Sequence, residues 1–539
     1  MKLPLLPYGS GRYTSRVQTV FGGLDRRAGA GEGTLAEAEN LSGRQFPLLS
    51  VRPARGIVAA VTSPGVLSSH GEKLCWLSGT DFIYDGTVKG TVSAGSHRLV
   101  CMGKWILILP EMKVYDVEAD TFGTLAASWS GSGGTVTVQT ERSSLSCPNA
   151  GWDTLFREGD AVSIRGCTGH TDNNVTHAIL RGVSAGELQF DPGVLTLPVG
   201  AEDSYTESGS LTVSRQVPSL EGACVCDNRL WGYAGNTIYA SKLGDPRNFH
   251  VFDGLTTDAW QSETLDGSGF TGCICYLGYP VFFKENAIFK VYGDRPSNFQ
   301  WSGNPFLGIA GDGVSDRSAV VVNNTVYYLS AAGIAAYSGS RPVILSAPLG
   351  ETHWRNAVAG TDGLRYYVSM SDGTAYHLFV YDTVQGLWHR EDGFQASGFA
   401  RPEGGGLYML GTLPGGTTGT LFSVDGTAGT AEPAVSWSAE FADSTEFTRT
   451  TGGSSHNRKG LLRLQLRTEL ETGAAMTVQV QYDSDGVWHT VKTLSAETKQ
   501  SSLIPLVLRR CDHFRLRLSG TGGARVYSLA VTRYGGSEK

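Results

Sequence analysis

Ala223-Cys224-Val225-Cys226, Asn228-Arg229-Leu230-Trp231-Gly232-Tyr233 and Gly235-Asn236-Thr237-Ile238-Tyr239-Ala240 follow one another with only a turn residue or two between them, and close on Gly244-Asp245-Pro246. The same order returns as Cys273-Ile274-Cys275-Tyr276, Tyr279 to Lys284 and Ala287 to Gly293, closed by Asp294-Arg295-Pro296. It returns again as Ala319 to Val322, Thr325 to Leu329 and Ile334 to Gly339, with a proline turn at Pro342. Short runs of β-branched and aromatic residues, broken by Gly, Asn and Asp, are strands joined by tight turns. A period of roughly 45 residues lies in the range of propeller arrays, in which each small sheet buries its faces against its neighbours.

Outward from this stretch the grammar persists in weaker form. Lys73 to Leu77 with Asp81 to Gly86, and Arg98 to Cys101 with Trp105 to Leu109 and Lys113 to Asp116, make two further units before it. Arg365 to Met370, Leu378 to Thr383 and Trp388-His389-Arg390 make another after it, with Leu407 to Leu410 and Thr420 to Val424 as the last. Trp388 stands where a kelch-type tryptophan packs between blades, although the kelch double glycine is missing before it. The count comes to about seven, within the usual four to eight blades. From Ser130-Gly131-Ser132-Gly133-Gly134 to about residue 216 the pattern breaks into strands at Thr135 to Gln139, Ala161 to Ile164, Ala178 to Val183, Leu188 to Phe190 and Ser210 to Val213. This reads as a small β-barrel inserted in a loop, where long insertions add little closure entropy. Past Pro433, long period-two runs from Leu461 to Arg533 have enough alternation for a two-sheet sandwich. The expected fold is therefore all-β: a roughly seven-bladed β-propeller over 61–126 and 217–434, with an inserted barrel at 127–216, a C-terminal β-sandwich at 435–539, and an N-terminal arm and closing segment at 1–60. The one helix expected is Thr34 to Leu41.

A net charge of −7 argues against a general nucleic-acid binder, which needs clustered Lys and Arg. Arginines nevertheless crowd the first segment (Arg12, Arg16, Arg26, Arg27, Arg44, Arg52, Arg55) and the last (Arg509, Arg510, Arg515, Arg517, Arg525). They read mainly as solvated, or as paired with neighbouring subunits. The prolines and glycines from Pro4 to Gly11 cut short any secretory h-region. The nine cysteines, Cys224, Cys226, Cys273 and Cys275 among them, read accordingly as reduced core residues.

Catalytic chemistry is not legible. Asp266, Glu285, Asp312 and Asp316 fall in turns where Asp and Glu cap backbone groups, and no pair of carboxylates stands out as a glycosidase needs. Asp483-Ser484-Asp485-Gly486-Val487-Trp488 resembles part of a sialidase Asp-box, but its Gly-to-Trp spacing is one short, and it reads as a hairpin turn. Asp172-Asn173-Asn174 reads as a loop, not an EF-hand calcium site. No P-loop, dinucleotide fingerprint or nucleophile elbow is present. No catalytic residue, metal ligand or cofactor is assigned.

Phe21-Gly22-Gly23-Leu24-Asp25, then Ala38-Glu39-Asn40-Leu41, then Val51-Arg52-Pro53 resembles the opening of phage proteins that form the tail nozzle, the DNA-stabilising plug of short tails. Asn228 to Gly232, Gly244 to Phe249, Val291 to Gly293 and Tyr328 to Ile334 resemble that family's blades in order. The resemblance implies a non-enzymatic virion protein, made in the host cytoplasm. It would form a ring, hexameric in the family manner, around the DNA channel of the tail nozzle or head-to-tail conduit. Its partners would be further copies of itself, the adjacent tail or connector rings, the genomic DNA without sequence specificity, and the host surface during infection. On that reading Arg12, Arg16, Arg26 and Arg27 dock on a neighbouring subunit with Phe21 and Leu24 as apolar anchors. The competing reading pairs Val17 to Leu24 with the chain's own last blade. The alternative function is a receptor-binding or glycan-recognising tail protein, with Trp260, Trp301 and Trp354 in loops able to stack on sugars.

Overall fold

The computed structural model describes residues 13–27, 30, 31, 33–443, 459–495, 497–507 and 509–534. The chain is all-β, built from many small antiparallel sheets of the β-propeller kind. It divides into two compact units: one of 65–319 with 402–404, the other of 1–64, 320–401 and 405–539.

In the first unit the propeller sheets are four-stranded and simply up-and-down. Blade a comprises Pro64–His70, Lys73–Ser78, Asp81–Tyr84 and Thr87–Thr91, and blade b comprises Arg98–Met102, Trp105–Leu109, Lys113–Asp116 and Thr121–Thr124. Blade c follows as Gly222–Cys226, Arg229–Ala234, Thr237–Ala240 and Trp260–Glu263, and blade d as Gly272–Tyr276, Tyr279–Lys284, Ala287–Tyr292 and Gln300–Asn304. Each blade buries the alternate residues of its middle strands against the next. Cys75, Leu77 and Phe82 of blade a meet Ile106, Ile108 and Tyr115 of blade b. Leu107 and Leu109 of b meet Leu230 of c, and Trp231 and Ile238 of c meet Phe282, Phe289 and Val291 of d. Cys226 and Cys275, on the first strands of c and d, come to a Cα separation of 5.5 Å and are disulfide-bonded. That corrects the expectation of reduced cysteines throughout: successive first strands lie side by side, and a one-residue offset between the repeats brings Cys226 to Cys275. Residues 127–215 add two sheets of their own, with Trp152, Phe156, Leu188 and Phe190 at their shared core.

In the second unit, blade e (Val320–Val322, Thr325–Ser330, Gly333–Tyr337, Val343–Ile344) is followed by blade f (Arg355–Thr361, Arg365–Ser371, Tyr376–Asp382, Leu387–Arg390). Trp388 of blade f is buried and donates its indole N–H to the Leu345 carbonyl at 2.9 Å, bridging f to the end of e as expected of its position. Blade g is made of Gln395–Ala400, Tyr408–Thr412 and Gly419–Ser423, and Gly56–Val61 adds to it antiparallel, with Gly419 opposite Val61 and Ser423 opposite Gly56. An N-terminal strand thus completes a blade made from residues some 360 positions later, and it is Gly56–Val61 rather than Val17 to Leu24.

Two larger sheets complete this unit. One joins Lys459–Leu470, Gln500–Pro505, Arg510–Cys511 and Ala524–Tyr534 to the N-terminal Tyr13–Gln18, Leu41–Ser42 and Leu49–Val51; the other joins Ser436–Phe441, Ala475–Tyr482, His489–Leu494 and Phe514–Thr521 to Leu35–Glu39. The helix expected at Thr34 to Leu41 is therefore strand. Leu35 and Ala38 are buried on either side of a register irregularity while Glu37 and Glu39 face out, against Ser436–Phe441. Asn40 (φ 55°) ends the strand and donates its amide to the Ser436 carbonyl at 2.7 Å. Pairing to a waiting strand edge overrides the modest helix preference of Ala and Glu.

Between Leu49–Val51 and Gly56–Val61 lie two arginines that the sequence suggested were solvated or intermolecular. Both are buried within the chain. Arg55 is 0% exposed and binds Asp392 and Glu391, each at 2.6 Å, between the rings of Phe394 and Phe422. Arg52 binds Glu432 with both Nη atoms and donates Nε to Asn40 Oδ1 at 2.7 Å. Glu432 Oε1 also accepts the Arg55 backbone N–H at 2.7 Å. Burial alone would raise the Asp392 carboxyl, but the charge and hydrogen bond of Arg55 hold it below the ordinary carboxylate range.

Arg55→Met should destabilise this unit by about 3–5 kcal/mol, because Glu391 and Asp392 would then be buried without their partner. Chemical denaturation showing a loss under about 1 kcal/mol would mean the pair is not a structural tie. A second expectation concerns pH. His389, fully buried beside Gly43, is pushed by burial down to about 4. Its folded value lies below the unfolded value of about 6.5, so its neutral form stabilises the fold above that pH, and the contribution is lost as pH falls from about 6.5 to 4, by about 1.4 kcal/mol per unit. Denaturation midpoints taken across that range should fall, and His389→Gln should flatten the dependence.

Candidate functional site

The second unit holds a groove of about 770 Å³. One side comes from residues between 42 and 54, which run from the first of the two large sheets toward blade g. A second comes from Asp425 and residues 432–435, which leave blade g. The rest comes from the ends of two paired strands, residues 469–472 and 522–525, with Glu497 beside them. Glu469 lies opposite Arg525 in that pairing, and Leu470 opposite Ala524. The strand order therefore dictates the site: charged residues at the frayed ends of long strands project where the blade and sheets converge.

Each polar group has a defined posture. Glu471 folds back to accept the Gly523 backbone N–H at 3.1 Å. A Cβ on Gly523 would sit 2.2 Å from that carboxyl carbon, so a side chain there would displace Glu471 from this posture. Glu469 accepts the Tyr527 hydroxyl at 2.5 Å, and Lys499 Nζ lies 3.8 Å from the centroid of the same tyrosine ring. Arg44 donates to the Tyr367 hydroxyl at 3.0 Å. Asp425 accepts from Ser423 Oγ at 2.9 Å and Thr427 Oγ1 at 2.8 Å; burial works to raise its carboxyl, and these hydroxyls outweigh it to hold it low. Arg52 and Glu432 connect the groove to the buried ion pairs beneath it.

Three guanidinium groups (Arg44, Arg52, Arg525) thus meet five carboxylates (Asp425, Glu432, Glu469, Glu471, Glu497), with Gln45, Ser42, Ser50 and Thr472 between them. Among the described residues that line the groove none is aromatic. A ligand here meets hydrogen-bond donors and acceptors in alternation over a surface of net negative charge. The carboxylates come from separate segments of the chain, which is the raw material for acid–base work on a bound hydroxyl or acetal.

The residues singled out in the sequence lie elsewhere. Arg12 falls outside the described residues. Arg16 lies opposite Val531 in the pairing of Tyr13–Gln18 with Ala524–Tyr534. Phe21 and Leu24 are buried in the hydrophobic core of their own unit, Arg26 pairs with Glu37 at 2.8 Å, and Arg27 pairs with Asp25 at 2.7 Å. The three tryptophans are not on open loops. Trp260 and Trp301 sit in the outer strands of blades c and d against Phe299 and Phe289, and Trp354 is buried against Phe379 and His377. The turn carboxylates cap or pair as expected: Asp312 accepts the N–H groups of Val314 and Ser315, Glu285 that of Gly311, Asp266 binds Lys284, and Asp316 binds Arg98. Asn173 and Asn174 bond within their own loop region, to Thr196, Tyr205 and Cys167. Asp483-Ser484 is the hairpin turn between Ala475–Tyr482 and His489–Leu494, with both residues left-handed. No local motif marked the groove, since its residues come from five separate stretches of chain.

No family model and no curated protein matches the chain. Among solved structures it is similar to an exo-β-1,3-galactanase from Phanerochaete chrysosporium, solved with galactose, at 10% identity, covering 57% of this chain and 95% of that one, with a TM-score of 0.22. It is similar also to a family 43 arabinoxylan arabinofuranohydrolase from Bacillus subtilis, at 10% identity over 57% and 94% of the two chains with a TM-score of 0.20. A third is a GH43 protein from Bacillus licheniformis, at 11% identity over 57% and 86% with a TM-score of 0.17. At such scores no residue role transfers from those proteins to this chain. The findings nevertheless correct two expectations, that of a DNA-channel protein and that of a chain without enzymatic activity: the matched structures named here are glycoside hydrolases or their family members, and none of them is a nozzle protein.

Proposed function

We propose that this chain recognises glycans, and that the groove bordered by Arg44, Asp425, Glu432, Glu469, Glu471 and Arg525 is where it does so. The observation that carries the reading is the groove's composition. Small-molecule pockets are mostly apolar with a few polar groups; about half of this one's lining residues are polar or charged, and they supply donors and acceptors of both signs. A polyhydroxylated chain can satisfy such a surface, because each hydroxyl both donates and accepts. A phosphate polymer would meet five carboxylates against three guanidiniums, and an apolar ligand would strand buried polar groups without partners. Tyr527, tied to Glu469 at the groove's edge, offers a ring on which a sugar face can rest.

The finer architecture belongs to the same proposal. Blades a to d of the first unit and e to g of the second make roughly seven propeller blades, residues 127–216 an inserted barrel, and the two large sheets a sandwich. The support is that the blades follow one another in chain order with the same up-and-down pairing. A density map at moderate resolution should show four such sheets in the first unit and three in the second, and fewer would refute the count.

For the groove, the full-length protein is screened against neutral plant and bacterial oligosaccharides by calorimetry, with release of reducing ends followed in the same mixtures. Saturable binding is expected, and Arg525→Ala and Glu497→Gln should each weaken it about tenfold or more, or about 1.4 kcal/mol, with unchanged denaturation midpoints. Reducing ends that disappear with Glu469→Gln or Glu497→Gln would add hydrolysis to binding. Absence of any saturable glycan, or binding indifferent to both groove variants, would sink the assignment.

A further inference from the structure

Blades c, d and e join their first two strands by the same two-residue turn, with both residues left-handed. Blade c uses Asp227-Asn228 (φ 49° and 53°) and blade e uses Asn323-Asn324 (φ 47° and 58°). Short polar side chains of this kind tolerate that conformation and bond their own backbone. Blade d places Leu277-Gly278 there, with Leu277 at φ 50°. A bulky apolar residue with positive φ is strained, and this one leaves 59% of its surface in solvent. Backbone strain that a neighbouring repeat avoids by a one-residue change is the kind retained at functional positions.

What surrounds Leu277 is not ordinary surface. Tyr279, 37% exposed, and Tyr292, 43% exposed, hold their rings 5.5 Å apart at 56° to each other. Lys290 reaches over both, with Nζ 3.9 Å from the Tyr279 ring centroid and 5.0 Å from that of Tyr292. Among the described residues no carboxylate pairs with this ammonium, in contrast to Lys73, Lys89, Lys104 and Lys113 of blades a and b, each of which has one. The corner therefore presents a small apolar ledge, two aromatic faces, two phenolic hydroxyls and an uncompensated positive charge.

From this juxtaposition we propose that Leu277, Tyr279, Lys290 and Tyr292 form a binding subsite for a sugar residue that bears a carboxylate. The apolar face of the sugar ring lies on Tyr279 and Leu277, and the carboxylate takes a charge-assisted hydrogen bond from Lys290. Size decides against a protein partner: stable protein interfaces bury about 1,200–2,000 Å², and one strand corner of four side chains matches a single sugar ring. The class of ligand rests on the glycan reading given for the groove, but the residues are separate, so the two can fail independently.

The test uses the full chain and three probes by calorimetry: trigalacturonate, the neutral trisaccharide cellotriose, and a hexaglutamate peptide. Trigalacturonate is expected to bind saturably, with Tyr279→Ala and Lys290→Gln each weakening it about tenfold or more and the groove variant Arg525→Ala leaving it unchanged. Leu277→Asn supplies a variant that should fold at least as stably as the parent, since it places there the residue that blade e carries at Asn323, and should bind trigalacturonate more weakly. No saturable binding, indifference to Lys290→Gln, or loss only with Arg525→Ala would overturn the subsite. Hexaglutamate binding as tightly as trigalacturonate with the same dependence on Lys290 would overturn the sugar as its ligand.

Discussion

The second unit depends on charge buried in paired form. Arg52 and Arg55 are the ends of a four-residue link between a strand of a large sheet and the strand that completes blade g, and both guanidiniums are sealed among Glu391, Asp392 and Glu432. Removing such ions from water costs several kcal/mol each, so the arrangement is stable only if every partner arrives in place. Asp392 and Glu391 follow the last strand of blade f, and Glu432 follows blade g. The network therefore forms only when Gly56–Val61 has docked in register and blades f and g are built. A hydrophobic link would tolerate slippage by two residues; a bidentate arginine does not. In this sense the ions specify the topology more than they stabilise it.

That geometry also explains the groove. The link that carries Arg52 inward carries Arg44, Ser50 and Arg52 itself along one wall, and Glu432, which anchors both arginines, stands on another. The groove is thus the solvent-facing side of the ion network. Its floor cannot collapse, because its charged groups are held by partners that are themselves buried, and its polar groups are preorganised before a ligand arrives. His389 enters the same structure from behind, against Gly43 of the wall.

Much of the blade pattern was legible, and for a physical reason: a strand inside a blade is specified by its own alternation and by the two-residue turns at its ends, both local properties. Leu230-Trp231 against Ile238, or Val326 against Tyr337, can be read without knowing what lies across the sheet. The N-terminal segment was not legible in this way. Leu35-Ala36-Glu37-Ala38-Glu39 has the composition of a short helix, and only the edge of Ser436–Phe441, some 400 residues away, makes it a strand. Arg52 and Arg55 looked like surface residues because burial of a guanidinium can be inferred only from the carboxylates that enclose it, and those lie more than 330 positions further on. The groove failed to show for the same reason, being an assembly of strand ends. Tyr279 and Lys290 were read as blade residues, which they are; what the alternation could not reveal was that the turn beside them carries a leucine where its sister turns carry Asn or Asp.

Net charge speaks to the whole chain and not to any one surface of it. An overall excess of acid argues against phosphate binding anywhere on the surface only if charge is uniformly spread, and here it is sorted. Carboxylates concentrate where donors face them, as in the groove, while Lys290 stands over two rings with no counter-charge. Coulombic attraction between exposed groups is screened beyond about 8 Å at physiological salt, so a ligand at either place feels its immediate neighbours and not the sum over the chain. The same acidic protein can therefore offer one surface suited to neutral hydroxyls and another suited to a carboxylate. The step from composition to function has to pass through the local arrangement that the fold imposes on each.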